Sequence, residues 1–193
     1  MTHPSFFFIF CLKRLIWRIR KSSEGEAKGF AKKGSMKIRP LFEKDRATLL
    51  SVLIKTRAFT SAEIDVAMEL IDIVLKDQIQ KDYQIDCMVE NEDLAIGYVC
   101  YGPTPMTEGT FDLYWIAVDP NLQEKGVGSK LLDFLEEAVK ARGGRMILAD
   151  ASTAPYYEKT KKFYVKNGFQ EVARIPDYYH PGNDRITFCR RLT

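Results

Sequence analysis

The chain has 193 residues, with 29 Lys and Arg against 26 Asp and Glu, for a formal net charge of +3. This length suits one domain with a full core, and so mild a charge gives no footing for nucleic-acid binding through bulk electrostatics. Only His3 and His180 are present, which argues against a histidine triad or a multi-histidine metal centre; no metal is expected.

The four cysteines, Cys11, Cys87, Cys100 and Cys189, form no Cys-x-x-Cys pair and fit reduced thiols in a cytoplasmic protein. Residues 1–35 differ from the rest. The apolar run Phe6 to Leu12 is far short of the ~20 residues that span a bilayer. Its basic residues Lys13, Arg14, Arg18, Arg20 and Lys21 follow the run, where a signal peptide would place them before it. This extension reads as a disordered tail or an over-called start, with a basic aromatic segment lying on an anionic membrane as the alternative. A domain of residues 36–193 then begins at Met36-Lys37-Ile38-Arg39-Pro40.

Lys37 to Leu41 fits a first strand. Glu43 to Ala58 fits a helix with Leu49, Leu50, Leu53 and Ile54 on one face. Thr60-Ser61-Ala62-Glu63 is a capping box opening a second helix, whose stripe is Ile64, Ala67, Met68, Ile71 and Leu75. Gln84 to Glu90 and Leu94 to Tyr101 read as a hairpin around Asn91-Glu92-Asp93. After a turn-rich loop, Phe111 to Val118 is a strand. Strict alternation puts Phe111, Leu113, Trp115 and Ala117 on one face and Asp112, Tyr114, Ile116 and Val118 on the other. A helix burying Leu131, Leu132, Leu135, Ala138 and Val139 follows and stops at Gly143-Gly144. Arg145 to Asp150 is a strand, Pro155 to Asn167 a helix stopped by Gly168, and Phe169 to Ile175 with Arg185 to Arg190 a closing strand pair around an Asp177–Asp184 loop. The order β-α-α-β-β-β-α-β-α-β-β is α/β, a mixed sheet with helices on its faces.

Between the central strand and the third helix stands Gln123-Glu124-Lys125-Gly126-Val127-Gly128-Ser129. Glycines at a helix start let backbone approach a ligand, and the unpaired N–H groups of the first turn favour an anion. Such a turn seats a phosphate or pyrophosphate. It is not a P-loop, because Ser129-Lys130 follow Gly128 in the wrong order and spacing. A dinucleotide fingerprint would need a third glycine where Leu131 stands, although Asp150, at the end of the next strand, falls where that motif expects an acid.

Gln123-x-x-Gly126-x-Gly128 after Ile116-Ala117-Val118-Asp119-Pro120 resembles the acyl-CoA-binding motif of the GNAT N-acetyltransferase family. Phe163-Tyr164-Val165-Lys166-Asn167-Gly168-Phe169 is similar to its second signature, Tyr-x-x-x-Gly-Phe. The resemblance spans roughly residues 36 to 192. It implies the GNAT fold: a mixed, mostly antiparallel sheet of six to seven strands, about four helices on both faces, and splayed central strands. It also implies an acyl-CoA-dependent N-acetyltransferase that moves an acetyl group from acetyl-CoA to a primary amine of a small molecule or peptide.

On that resemblance Ile116, Ala117 and Val118 bind the pantetheine arm, and the Val118 amide polarises the thioester carbonyl. The amides of Gln123, Glu124, Lys125, Gly126, Val127, Gly128 and Ser129 cradle the pyrophosphate, with Lys125 adding charge and Ser129 its hydroxyl. Glu124 departs from the basic residue or glycine commoner at its position. Asp112, a charge inside an apolar strand, stands where histone-type members carry a catalytic glutamate; it is the first candidate base, with Glu108 in the preceding loop the second. Tyr164 aligns with the tyrosine near the coenzyme A sulfur and is the candidate acid.

Tyr156, Tyr157, Tyr178 and Tyr179 suit pocket walls and core packing equally, and His180 reads as an exposed loop residue. The alternative to an enzyme is a non-catalytic acyl-CoA-binding module. Monomer and homodimer both remain open, and no nucleic-acid partner is expected.

Overall fold

The structure, a computed structural model, describes residues 36–192; the extension of residues 1–35 lies outside the described residues. Seven strands and four helices follow one another in the order read from the sequence. Strand β1 (Lys37–Pro40) leads through a single 3-10 turn to helix α1 (Arg46–Thr56) and helix α2 (Ser61–Lys76). Strands β2 (Gln84–Glu90), β3 (Leu94–Pro103) and β4 (Thr110–Val118) form a meander. Helix α3 (Val127–Ala141), strand β5 (Met146–Ser152), helix α4 (Glu158–Lys166) and the hairpin β6 (Gln170–His180) with β7 (Asn183–Arg191) complete the domain. No described helix is long and apolar enough to cross a membrane.

The strands lie in the order β1-β2-β3-β4-β5-β7-β6, antiparallel throughout except for β4 with β5. Each face carries its own core. On one face, Val127, Leu131, Leu132, Leu135 and Val139 of α3 and Tyr164 of α4 pack on Phe111, Leu113, Ile147, Ala149, Ile186 and Phe188 of the sheet. On the other, Leu49, Val52 and Leu53 of α1 and Ala67, Met68, Ile71 and Val74 of α2 cover β2, β3 and the end of β4. The α1 stripe is therefore rotated from the sequence reading: Val52 is buried and Ile54 is 57% exposed. Helices α1 and α2 stop short of β5, so the same face of β5 and β7 is left uncovered among the described residues.

Local chemistry sets the element ends. The Thr60 side chain accepts the Glu63 N–H, and a Glu63 carboxylate oxygen accepts the Thr60 N–H at 2.7 Å, so the capping box forms. Gly168, at φ +80, ends α4 in a conformation that disfavours side chains with a Cβ. The closing hairpin runs further than the sequence reading. Its strands meet again at His180–Asn183 after a bulge over Pro176 to Tyr179, which leaves only a tight Pro181-Gly182 turn. Asp177 supports that path: its side chain accepts the Gly182 N–H and its own N–H donates to Asp184.

One buried ion pair ties β1 to the start of α1. The Arg39 guanidinium grips both oxygens of Asp45 at 2.6 and 3.0 Å, and its Nε donates to Asp93. Removing one member of such a pair leaves the other charge buried and costs about 3–5 kcal/mol. Asp45→Ala is expected near the low end, because Asp93 still engages Arg39. Urea unfolding should show a lower midpoint at an unchanged slope; an unmoved midpoint would show that the pair contributes nothing.

Candidate active site

The site begins where two central strands part. Strands β4 and β5 pair over only four positions, Thr110–Met146 to Leu113–Ala149, although β4 continues to Val118 and β5 to Ser152. The β4 register against β3 slips at the same point: Leu113 faces Tyr101 and Trp115 faces Cys100, so Tyr114 is an extra, bulged residue. The bulge corrects the face assignment made by strict alternation. Phe111, Leu113, Ile116 and Val118 pack toward α3 and α4, while Tyr114, Trp115 and Ala117 pack toward α1 and α2. A bulge bends its strand and raises local twist, which carries the end of β4 away from β5.

The parting frees backbone groups. The Asp119 N–H donates to Ile96 of β3 at 2.9 Å. By the two-residue period of a strand, Ala117 also faces β3, and Ile116 and Val118 turn their N–H groups to the opened β5 side. The Val118 carbonyl on that side accepts the Gln123 side-chain amide at 3.3 Å. Ala117 thus lies between two free amides with its own turned away. Gly97 sits opposite Val118, and a Cβ there would stand 2.8 Å from the Ala117 carbonyl oxygen, so a glycine is what lets β3 hold this stretch closely.

Asp119 caps a 3-10 turn, Pro120–Lys125, by accepting the Asn121 N–H, and the chain then enters α3. The first α3 bond runs from the Lys130 N–H to the Gly126 carbonyl, and no side chain caps the helix. The N–H groups of Val127, Gly128 and Ser129 are left as donors at the positive end of the dipole. The two glycines serve different ends. Gly126 has φ +76 with nothing within 4 Å of a would-be Cβ, so backbone conformation requires it and space remains before it. Gly128 is favoured by packing, since a Cβ there would meet the Phe163 ring at 3.1 Å and the ring would have to shift. Lys125 is exposed beside this seat; the Glu124 side chain lies outside what the structure describes.

Two carboxylates and a tyrosine flank the opening. Asp112 and Asp150 lie on the uncovered face, since their strand neighbours Phe111, Leu113, Ala149 and Ala151 are buried on the other. Asp112 accepts the Thr104 hydroxyl at 2.8 Å, and its carboxyl is raised above the usual range by burial first and then by the charge of Asp150. Asp150 is the first β5 residue past the shared ladder and is held by Arg185 at 2.5 Å and the Thr187 hydroxyl at 2.7 Å. Tyr164 is 5% exposed among Phe163, Phe169 and Phe188. Burial, and then the charge of Asp150, hold its phenol well above the ordinary range.

A rim continues outward from these groups. Arg185 stacks on Tyr178 at 5.3 Å, and Tyr178 meets Tyr179 edge-on at 4.9 Å. Across the groove, the Tyr157 hydroxyl donates to Glu63 at 2.6 Å, tying the turn before α4 to the start of α2. Glu108 lies in the loop before β4, upstream of Asp112; its carbonyl accepts the Arg145 guanidinium at 2.7 Å, and its carboxylate makes no hydrogen bond or ion pair with Asp112, Asp150 or Tyr164 among the described residues. His180 is exposed at the hairpin end. Sequence reading missed Asp150, Arg185 and Glu63 as site residues. The only signal for Asp150 was its place at the end of a strand, and Glu63 was absorbed by its capping role.

A parallel strand pair that opens beside an uncapped helix N-terminus offers strand amides and an anion seat to one elongated ligand. Residues 84–171 match the family described as acetyltransferase (GNAT) domain. A GNAT-family crystal structure from Desulfovibrio desulfuricans is 37% identical, with a TM-score of 0.79 over 82% of this chain and 100% of that one. The chain belongs to the GNAT acetyltransferase family, the acyl-CoA-dependent N-acetyltransferases. The S-(2-succino)cysteine N-acetyltransferase of Bacillus subtilis is 33% identical over 81 residues, which cover 38% of this chain and 48% of that protein; the chain spans about half the length of this curated relative. A Salmonella typhimurium structure with its cofactor acetyl-CoA shares the fold at 19% identity, with a TM-score of 0.63 over 82% of this chain and 95% of that one.

The distinct needs of the glycines are testable by urea unfolding. Gly126→Ala should cost about 1 kcal/mol through left-handed backbone strain, and Gly126→Asn less, because asparagine tolerates that region. Equal losses for the two variants would show that φ is not the constraint.

Proposed function

We propose that the protein transfers the acetyl group of acetyl-CoA directly to a primary amine. The observation that carries this reading is the opening between β4 and β5, with free strand amides on one edge, an anion seat at its end, and a carboxylate and a phenol beside it. The amides at the α3 N-terminus suit a pyrophosphate in position and charge. The free N–H groups of Ile116 and Val118 suit the pantetheine arm and the thioester carbonyl, where an amide donor stabilises the oxyanion that develops on attack.

The remaining groups handle protons. An amine attacks only when neutral, and Asp112 accepts its proton; with five residues between it and Val118, the path runs through water. Its raised pKa brings it nearer the working pH, which makes a better base. As the C–N bond forms and the C–S bond breaks, the thiolate leaves and Tyr164 supplies a proton. Its own raised pKa keeps the phenol protonated until then.

Thiol release from acetyl-CoA across a panel of amines tests the reading. Acetyl-CoA binding without release would favour a binding module instead. Tyr164→Phe should lower kcat by roughly 10²-fold while leaving acetyl-CoA affinity largely intact; a collapse of affinity would mark the tyrosine as structural.

The acid limb of kcat/KM should follow Asp112, with activity lost as pH falls through its raised pKa and the base is protonated. Asp150→Asn removes the neighbouring negative charge and so lowers the pKa of Asp112. The limb should then move to lower pH. A limb that stays in place, or survives Asp112→Asn, would exclude Asp112 as the base.

A further inference from the structure

Two carboxylates, Glu63 and Asp112, have no counter-ion among the described residues. Glu63 uses one carboxylate oxygen on the Thr60 N–H and hydroxyl and the other on the Tyr157 hydroxyl, and no cation pairs with it among the described residues. Asp112 likewise has Thr104 as its partner and no cation at ion-pair distance among the described residues. The one guanidinium nearby, Arg185, is engaged by Asp150.

Aromatic faces line the space between. Tyr178 and Tyr179 are 52% and 48% exposed on β6; Arg185 covers one face of the Tyr178 ring, which leaves its other face and the Tyr179 ring to a ligand. The turn that carries Tyr157 is bonded to the hairpin that carries Tyr179: the Thr153 hydroxyl accepts the Asp184 N–H at 2.7 Å and the Ser152 hydroxyl donates to Asn183 at 2.6 Å. Aromatic faces attract cations through their quadrupole, and more strongly where water is partly excluded. Anions gain nothing from such a wall.

Resting on the acyl-transfer reading above, we propose that the rim formed by Glu63, Tyr157, Tyr178 and Tyr179 receives a second cationic centre of the acceptor, so that the acceptor is an aliphatic diamine or polyamine. One nitrogen lies at the strand opening as the nucleophile. The other, still an ammonium, is held by the Glu63 carboxylate and the tyrosine faces. A neutral tail forfeits that attraction, and a carboxylate tail meets repulsion from Glu63 and Asp112.

Three acceptors of equal length isolate the tail: 1,4-diaminobutane, butylamine and 4-aminobutanoate, compared by thiol release from acetyl-CoA. The diamine should exceed butylamine in kcat/KM by about tenfold or more, with most of the difference in KM, and 4-aminobutanoate should be slowest. Glu63→Gln keeps the cap through its one amide oxygen and turns its NH2 to donate to the Tyr157 hydroxyl, but removes the charge, so the diamine-to-butylamine ratio should fall toward one. Equal rates for diamine and butylamine, a preference for 4-aminobutanoate, or an unchanged ratio in Glu63→Gln would each overturn the proposal. Calorimetry with acetyl-CoA alone separates the two levels of failure. Binding without release to any of the three acceptors overturns the diamine assignment, whereas absence of binding overturns the acyl-transfer reading itself.

Discussion

The short parallel ladder between β4 and β5 is the constraint on which the rest of the structure depends. Four residues of pairing hold the two halves of the sheet together, and past Leu113 and Ala149 the strands go separate ways. Unpaired backbone in a protein interior is costly unless something satisfies it. The chain meets part of that need by aiming Gln123 at the Val118 carbonyl and leaves the Ile116 and Val118 amides to the opening. The bulge at Tyr114 makes the departure, and Gly97 keeps β4 anchored to β3 while it happens. Lengthening the β4–β5 ladder to the end of β4 would consume the same amides, so sheet stability and site formation oppose one another here.

Charge in the opening follows from the same geometry. A carboxylate at position 150 falls just past the last shared pair, so its field reaches Asp112 along the uncovered face and Tyr164 across the gap. Its pairing with Arg185 is partly exposed, and such pairs contribute only about 0–1 kcal/mol to stability. Placement is therefore the better account of that pair: Arg185 and Thr187 fix the Asp150 carboxylate from two directions on the neighbouring strand. The consequence is that the Asp112 carboxyl and the Tyr164 phenol both lie above their ordinary pKa ranges, with one neighbouring charge contributing to each.

How much of this the sequence discloses depends on how local each cause is. Element order and the helix stops were legible because caps, glycines and apolar periodicity act over a few residues, as at Thr60 to Glu63 and at Gly168. The glycine turn before α3 was legible for the same reason. The bulge was not. Phe111 to Val118 reads as an unbroken alternation, and only the competition between cores on opposite faces decides that Tyr114 is the extra residue. The closing hairpin was read short, because Asp177 to Asp184, with Pro181, Gly182 and Asn183, signals a loop, while the Asp177 and Asp184 side chains in fact carry the strands further into it. Asp150 and Glu63 were hidden by good local explanations, a strand end and a helix cap, that say nothing of what stands across the groove.

The two sides of the groove are therefore built from different physics. The donor side relies on backbone: strand amides and a helix N-terminus, for which the sequence need only supply glycine where φ or Phe163 demands it. Most residues serve there, and those that do not leave a motif. The acceptor side relies on side chains delivered by α2, β5, the turn before α4, and the β6–β7 hairpin, elements as far apart in sequence as Glu63 and Tyr157. No short motif can record such an arrangement, and none of these side chains supports a core. Glu63 can lose its charge and keep its cap, and Tyr178 and Tyr179 are exposed on an edge strand. On the proposed reading, substitution at these positions changes which amine is favoured while leaving the strand opening intact, so the choice of acceptor is free to change independently of the backbone groups that form the opening.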